Sequence, residues 1–266
     1  MKQSGHLLKM ETALSDNVNY TLLLDENRIN VNQFIGKALK FTYLDEIKCI
    51  TCGSITKKSF FQGHCYKCLL HHPHTSPCIL HPEKCQAQNG ISRDMKWSEE
   101  HCLTPHFVYL ARSSGVKVGV TRHTQIPTRW IDQGAVEAII LAKTPNRNTA
   151  GLIEVYLKKY FADKTSWQRM LKNQVDYSAE LLEQKQKAAR LLPDELKQFV
   201  YDNNEITKIQ YPVVQYPEKV KSKSFDKMKI IQGRLTGIKG QYLIFDDNSV
   251  LNIRKHSGYL VQLEYD

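Results

Sequence analysis

The stretch HFVYLARSSGVKVGVTRHTQIPTRWIDQGA, residues 106–135, decides the fold of the most compact part of the chain. Two runs of β-branched and aromatic residues, Phe107–Ala111 and Val116–Thr121, predict two short strands. Pro127 is typical of the first turn of a helix and Gly134 of the residue after its end. A strand pair followed by a short helix is therefore expected here.

Different patterns surround this core. The alternating segments of residues 1–48 predict an N-terminal β segment, and the cysteine-rich residues 49–105 contain too few aliphatic side chains to fold without another stabiliser. The predicted α/β core spans 106–172 and a helical brace spans 173–205. Residues 206–266 predict a basic, extended or mobile connector and a C-terminal β meander. The predicted fold class is α+β, with the two terminal β segments paired into one small sheet.

The composition is that of a globular protein, with 41% hydrophobic and 24% charged residues. The net charge of +10 favours a polyanionic partner and also fits simple solubility. No apolar run is long enough to cross a bilayer, and the polar N-terminus lacks a secretory signal. We therefore expect a cytoplasmic protein without a membrane partner.

The cysteines indicate metal binding. Seven cysteines in a chain without an export signal fit metal ligation better than a disulfide framework. Two C-x-x-C pairs have the spacing of a zinc ribbon, in which four sulfur atoms complete the coordination of a structural Zn²⁺, and the predicted ligands are Cys49, Cys52, Cys65 and Cys68. Unligated buried cysteines and a redox dithiol are the alternatives, and the second lacks a surrounding βαβ pattern.

A second metal site is a further hypothesis. Three cysteines follow the ribbon at irregular spacing, and three histidines lie close to them in sequence. A site of three sulfurs and one imidazole would use Cys78, Cys85 and Cys102 with one of His81, His101 or His106. The alternative is that these cysteines are small buried residues beside surface histidines.

The two central strands predict a polar face. Side chains alternate along a strand, so Lys117, Gly119 and Thr121 share one face of the second strand. Antiparallel pairing then brings Tyr109 beside Lys117, above a gap without a side chain at Gly119. Gly119 is therefore a candidate position for the close approach of a bound ligand.

Two charged residues lie on the helices that follow. Arg129, in the first turn of IPTRWIDQ, can bind a phosphate through two parallel hydrogen bonds, or it can form an ion pair with Asp132. Glu154 lies at the edge of the helical stretch AGLIEVYLKKYF. Its alternative role is a solvated pair with Lys158, which would contribute about 0.3 kcal/mol.

The order of four features resembles the GIY-YIG nuclease superfamily, particularly branches whose second motif is KIG or KVG. These features are FVY, KVG, an arginine in a short helix and a glutamate in AGLIEVYLKKYF. A more detailed set of motifs is similar to a bacterial family described as a domain of unknown function. The set consists of the CxxC pairs, HPEKC, HFVYLA, KVGVTR, IPTRWIDQGA and DKTSW. That likeness spans most of Ile47 to Leu171 and includes GIKGQYL near the C-terminus. It implies a small GIY-YIG-like antiparallel sheet with helices.

The resemblance also implies roles for individual residues. Tyr109 matches the tyrosine of GIY, Arg129 the arginine that stabilises charge on the phosphate, and Glu154 the carboxylate that holds Mg²⁺. Lys117 stands where YIG has a tyrosine, and a lysine there can neutralise a phosphate. The expected chemistry is phosphodiester cleavage, with a divalent ion and an arginine that balance the developing charge.

Three functional hypotheses follow. In the first, a zinc ribbon and a GIY-YIG-like core bind DNA or RNA and cleave it with Mg²⁺. In the second, the same parts form a non-catalytic module that binds nucleic acid or protein, and Glu154 is only a surface residue. In the third, the chain is a metal-sensing or scaffold protein.

Overall fold

The computed structural model describes residues 1–162 and 166–265. Its strands are β1 (Lys2–His6), β2 (Glu11–Ala13), β3 (Asn19–Leu24), β4 (Asn27–Asn30), β5 (Ala38–Ile47), β6 (His106–Arg112), β7 (Val116–Arg122), β8 (Glu137–Thr144), β9 (Thr207–Lys208), β10 (Lys221–Lys223), β11 (Ile230–Lys239), β12 (Tyr242–Phe245), β13 (Ser249–Asn252) and β14 (Tyr259–Tyr265). Its α-helices are α1 (Tyr66–His71), α2 (Met95–His101), α3 (Thr128–Asp132), α4 (Arg147–Leu157), α5 (Trp167–Leu171), α6 (Leu181–Leu191) and α7 (Asp194–Lys197). The fold class is α+β, as predicted. Within the described ranges, no helix combines the length and apolar character that crossing a bilayer requires.

The chain forms two compact units. Unit 1 contains Met1–Leu70, Ile131–Gly134 and Ile209–Asp266, and unit 2 contains His71–Trp130 and Ala135–Lys208. The division at Leu70 separates the two C-x-x-C pairs, in unit 1, from the three later cysteines, in unit 2. Residues 163–165 of the DKTSW motif lie outside the described residues.

Unit 1 is built on a large sheet that joins both ends of the chain. Its strand order is β1-β14-β5-β11-β12-β13-β10, and a smaller sheet has the order β2-β3-β4. β14 lies between β1 and β5 and is antiparallel to both. The predicted pairing of the terminal β segments is therefore confirmed, although the sheet has seven strands and is larger than expected. Alternating apolar residues such as Phe41, Val261 and Leu263 are fully or almost fully buried, as expected for strands with one face in a core.

The basic stretch after the helices is not a free connector. β10 pairs in parallel with β13, and Tyr211 and Phe225 are buried. The stretch expected to be extended or mobile thus contains an extended strand, and two of its aromatic side chains are buried in unit 1.

Unit 2 contains the predicted strand pair. β6 and β7 are antiparallel and extend the predicted strands by no more than one residue at each end. Together with β8 and β9 they form a sheet of order β7-β6-β8-β9. The helix predicted around Glu154 also forms, and it begins earlier than AGLIEVYLKKYF because Asn146 accepts a hydrogen bond from the Thr149 amide as its N-cap.

One face of this sheet packs against α4. A buried apolar cluster joins this face to α4 and α6. Its members include Val108, Leu110 and Val118 from the sheet and Ile153, Leu157 and Ala188 from the helices. This arrangement leaves Tyr109, Lys117 and Gly119 on the opposite face of the sheet.

Candidate functional site

Four cysteine sulfur atoms converge in unit 1. The Sγ atoms that lie within 4.8 Å of one another belong to Cys49, Cys52, Cys65 and Cys68. The sulfur atoms of Cys52 and Cys65 are 3.7 Å apart, and all four cysteines are free thiols. Four sulfur ligands at this spacing match the tetrahedral coordination of a structural ion such as zinc. The predicted cysteine tetrad can therefore hold a metal ion.

The backbone around the tetrad supports ligation. The Cys65 amide donates a hydrogen bond to Cys49 Sγ at 3.2 Å, and the Cys68 amide donates to Cys65 Sγ at 3.5 Å. Such bonds stabilise the negative charge of a thiolate. Gly53 and Gly63 have positive φ angles, and a Cβ at Gly63 would lie 2.9 Å from a neighbouring side chain. The backbone at these two turns therefore favours glycine.

The thiols of the tetrad differ in acidity. Cys52 is exposed and is hydrogen-bonded to the Ser54 hydroxyl at 3.4 Å, which lowers the pKa of Cys52 to about 6. Burial raises the pKa of Cys68 to about 12. Only the thiolate is a metal ligand. Cys52 is therefore ready to bind a cation at neutral pH, whereas binding has to release a proton from Cys68.

A second group of sulfur atoms lies in unit 2. Its members are within 4.8 Å of one another and belong to Cys78, Cys85 and Cys102. Cys85 and Cys102 are buried and Cys78 is half-buried. These cysteines come from two 3-10 turns, near Pro77–Ile79 and Pro82–Lys84, and from the C-cap of α2. The structure thus brings together three cysteines whose spacing in the sequence is irregular.

Tyr109 and Gly119 face each other across β6 and β7. They are directly opposite in the register, and a Cβ at Gly119 would lie 2.6 Å from the Tyr109 hydroxyl oxygen. Tyr109 is fully buried, and its ring contacts the edge of Trp130 at a centroid distance of 6.0 Å. The space expected at Gly119 is therefore filled by the phenol of Tyr109.

Lys117 lies on the same face of the sheet as Tyr109, two residue pairs further along the β6–β7 ladder. It is opposite Ala111 in the ladder and forms an isolated parallel bridge with Ala162 through the outer edge of β7. Its side chain is half-buried. The predicted sharing of one face by Tyr109, Lys117 and Gly119 is confirmed by this register.

Glu154 lies on α4 and is 9% exposed. The predicted pair with Lys158 forms, at 3.5 Å between Nζ and Oε2, and it is partly buried. Burial raises the pKa of Glu154, while Lys158 and Arg129 partly offset that effect. Arg129, in α3, is half-buried and lies close enough to stabilise the Glu154 carboxylate. Asp132, the other partner considered for Arg129, pairs with Lys9 at 2.5 Å.

Glu83 supplies a second carboxylate near Glu154 that the sequence did not predict. Glu83, in the HPEKC motif, also acts to raise the pKa of Glu154. Its Oε2 is buried and has no hydrogen-bond partner among the described residues, and its Oε1 lies 3.4 Å from His81 Nδ1. Gly151 explains the approach, because a Cβ there would lie 2.1 Å from the Glu83 nitrogen. No pattern of spacing connects residues 83 and 154, so only the packing against α4 reveals this pair.

The structure thus joins the predicted site residues in two groups. Tyr109, Lys117 and Gly119 share the sheet face that points away from α4, whereas Glu154 lies on α4 within the electrostatic influence of Arg129. The second group contains two carboxylates and an arginine.

Comparison with known proteins identifies a family. No curated protein and no solved structure matches the chain. A family model with the description "Protein of unknown function (DUF2797)" matches residues 36–261, which is well over half of the chain. The matched region includes both cysteine groups, the β6–β7 pair and α4. This chain therefore belongs to the DUF2797 family.

Proposed function

We propose that this chain is a zinc-ribbon protein that binds single-stranded nucleic acid through the surface beside its cysteine tetrad. This lysine–aromatic surface consists of Lys57, Lys58, Phe60, Tyr66 and Lys67. The observation that carries the proposal is the combination of exposed lysines and ring faces on a segment that the tetrad can hold rigid.

The charge of this segment is entirely positive. Residues 49–68 contain three lysines and no acidic residue, and all three lysines are exposed. Lysine side chains on one surface neutralise successive phosphates and release their counterions. The net charge of the protein therefore has a local counterpart on this surface.

Aromatic rings lie among these lysines. Tyr66 is 57% exposed, and its ring centroid lies 5.6 Å from that of Phe60. Lys58 Nζ lies 5.4 Å from the centre of the Phe60 ring. Exposed rings between cations provide stacking platforms for unpaired bases. This combination supports a single strand over a duplex, whose bases are already stacked.

Zinc fits the tetrad, because four thiolates saturate its preferred tetrahedral coordination and leave no open position. When bound, the ion supplies conformational rigidity and no chemistry. Its ligands would be Cys49, Cys52, Cys65 and Cys68. The residues of the lysine–aromatic surface lie on the loop and helix between these ligands.

Binding should be measured by fluorescence anisotropy with labelled single-stranded DNA, single-stranded RNA and duplex DNA at several salt concentrations. The variant Lys57→Glu/Lys58→Glu/Lys67→Glu should lose most of the affinity. The slope of log affinity against log salt should fall by about 2, because each phosphate contact to a single strand contributes about 0.7. Tyr66→Ala should weaken binding by about 1–3 kcal/mol per stacked base and leave the slope unchanged.

A matched control separates this surface from net charge. Three exposed lysines of unit 2 serve as the control: Lys96, Lys143 and Lys208. Their triple substitution by Glu changes the net charge by the same amount as the triple substitution in unit 1. Retained binding in this control is the expected result. Equal loss in both triple variants would show that binding follows net charge alone and would contradict the proposal.

Phosphodiester cleavage is a second candidate function, favoured by the carboxylates of Glu154 and Glu83. A Mg²⁺ site commonly uses one or two carboxylates together with substrate phosphates, and the buried, unpartnered Oε2 of Glu83 fits such a role. Bound there, Mg²⁺ would supply Lewis-acid chemistry, and Arg129 would balance phosphate charge. Because the Tyr109 hydroxyl is buried over Gly119, the geometry favours binding without cleavage.

Cleavage is tested by incubating labelled single- and double-stranded substrates with Mg²⁺. Activity that is lost in Glu154→Gln, Glu83→Gln and Tyr109→Phe would replace the binding-only proposal with a GIY-YIG-type nuclease. Equal degradation by wild type and Glu154→Gln would mean that the activity is contaminating or uses another site.

A further inference from the structure

We propose that unit 2 contains a second metal site, in which Cys78, Cys85, Cys102 and the Nε2 atom of His106 hold a structural zinc ion, with Arg147 as its charge-balancing neighbour. This site is independent of the nucleic-acid proposal for unit 1.

The sulfur atoms already have the density of a metal site. All three lie within 4.8 Å of one another, and none is in a disulfide. Three thiol groups at these distances offer each other only weak hydrogen bonds. Zinc in structural sites commonly takes three cysteines and one histidine.

His106 is the histidine best prepared to be the fourth ligand. Its Nδ1 lies 2.7 Å from the Thr104 carbonyl oxygen, which fixes the hydrogen on Nδ1 and leaves the lone pair on Nε2. Nε2 is buried and has no hydrogen-bond partner among the described residues. A carbonyl that orients the imidazole through its second nitrogen is the usual partner of a metal-bound histidine.

The position of His106 in β6 places its side chain on the side of the sheet that faces α4 and the turn before Cys85. His106 shares a strand face with Val108, which packs against α4. The turn Pro82–Lys84, which precedes Cys85, packs against the same helix at Gly151. The atoms within 4.8 Å of one another are the three sulfurs alone, so binding of the ion has to draw the imidazole closer.

The other two histidines are less suited to this role. His81 is exposed and lies beside the Glu83 carboxylate. His101 has the same kind of Nδ1 contact, at 2.9 Å from the Trp97 carbonyl oxygen. Unlike His106, it is only half-buried, and its ring stacks on Trp97 at a centroid distance of 4.1 Å.

Arg147 gives an independent reason to expect negative charge at the cluster. It is 8% exposed, and its guanidinium donates hydrogen bonds to the carbonyl oxygens of Cys78 at 3.3 Å and His101 at 2.9 Å. Within the described part of the chain, its Nε has no partner and no carboxylate forms an ion pair with it. Three thiolates around Zn²⁺ carry one net negative charge, which compensates this buried cation.

The α4 N-terminus holds the ligand-bearing segments together. The Arg147 amide donates to the Cys102 carbonyl at 2.8 Å, and Asn148 Nδ2 donates to the carbonyls of Glu83 and Cys85 at 2.8 and 3.1 Å. The site therefore ties the cysteine-rich turns to α4 and to β6, the strand that carries Tyr109.

The test is the zinc content of the purified full-length chain, with cysteines reduced, measured by elemental analysis and native mass spectrometry. Wild type should hold two zinc ions per chain. Cys102→Ser and His106→Ala should each hold one, whereas His101→Ala and His81→Ala should keep both. A zinc content that Cys102→Ser or His106→Ala leaves unchanged from wild type would overturn the proposal.

Cobalt substitution tests the ligand directly and guards against a general loss of folding. In the cobalt-loaded chain, the spectrum of His106→Cys should regain the second ion and show the stronger sulfur-to-cobalt charge transfer of a four-sulfur site. Far-ultraviolet circular dichroism confirms folding of each variant. A folded His106→Cys chain that holds one ion would overturn the assignment of His106.

Discussion

The hydroxyl oxygen of Tyr109 lies over Gly119 of the neighbouring strand, so close that a Cβ at Gly119 would be 2.6 Å away. The two residues form one directly opposed pair of β6 and β7. The glycine is thus needed for the packing of a fully buried ring.

Gly119→Ala should destabilise the protein by about 2 kcal/mol, because the added methyl group overpacks a site filled by the phenol. Urea unfolding measures this loss. In a Tyr109→Leu background the hydroxyl and the aromatic ring are absent, so the same substitution should destabilise the protein much less. Equal costs in both backgrounds would contradict this explanation.

Gly151→Ala should also destabilise the protein, by more than about 2 kcal/mol, and should lower the zinc content of the second cluster. Alanine normally stabilises a helix interior by about 1 kcal/mol relative to glycine. Here the added Cβ would lie 2.1 Å from the Glu83 nitrogen, so the turn that precedes Cys85 has to move off α4. Thermal unfolding and elemental analysis report the two effects.

Gly115→Ala is the matched control for this change, because a Cβ at Gly115 has no neighbour within 4 Å. Its stability and its zinc content should equal those of wild type. A stabilised Gly151→Ala chain with full zinc content would refute the close approach of this turn to α4.

Lys239→Met should stabilise unit 1 by about 2 kcal/mol at pH 7. Lys239 is fully buried, and burial lowers its pKa from 10.5 to about 8. Between these values the unfolded chain holds one proton more than the folded chain, so wild-type stability rises with pH. Below about pH 8 the full destabilisation from burying the charged ammonium group is present, about 3 kcal/mol for this pKa shift. Contacts of Nζ with the rings of Tyr211 and Tyr216 partly offset this destabilisation.

Urea unfolding between pH 7 and pH 10 checks this prediction. The stability difference between Lys239→Met and wild type should shrink as the pH rises towards 10. Lys221→Met, at an exposed position of β10, should stay within about 0.5 kcal/mol of wild type at every pH. A difference for Lys239→Met that does not change with pH would contradict a titrating buried lysine.

Arg112→Met should destabilise unit 2 by about 3–5 kcal/mol. Arg112 is 2% exposed, its Nε donates to Glu137 at 2.6 Å, and its two Nη atoms donate to the carbonyls of Asp176 and Ala179. Removal of the arginine leaves these acceptors without partners. Chemical denaturation provides the measurement.

Two further variants distinguish the three hydrogen bonds of the buried Arg112 from an ordinary exposed ion pair. Arg112→Lys should recover little stability, because an ammonium group cannot reproduce the planar fork of three hydrogen bonds. Lys197→Met removes the exposed pair with Asp194 and should change stability by less than about 0.5 kcal/mol. Full recovery in Arg112→Lys would show that charge alone matters at this position.

Local features of the sequence determined the two central strands and the cysteine tetrad. Alternation predicted β6 and β7, since side chains of a strand must point to opposite faces, and the double C-x-x-C spacing predicted the tetrad because each pair lies within one turn.

Tertiary packing decided which distant residues meet. Three such contacts join residues without a common period or motif: the pairing of β1 with β14, the packing of the Glu83 turn on α4 at Gly151, and the convergence of the three later cysteines. Such contacts depend on the burial of apolar surface over the whole unit, and many alternative pairings share the same local pattern. Packing also turned Tyr109 inward over Gly119: alternation fixes the face on which a side chain lies, whereas the neighbouring elements determine whether that face stays open.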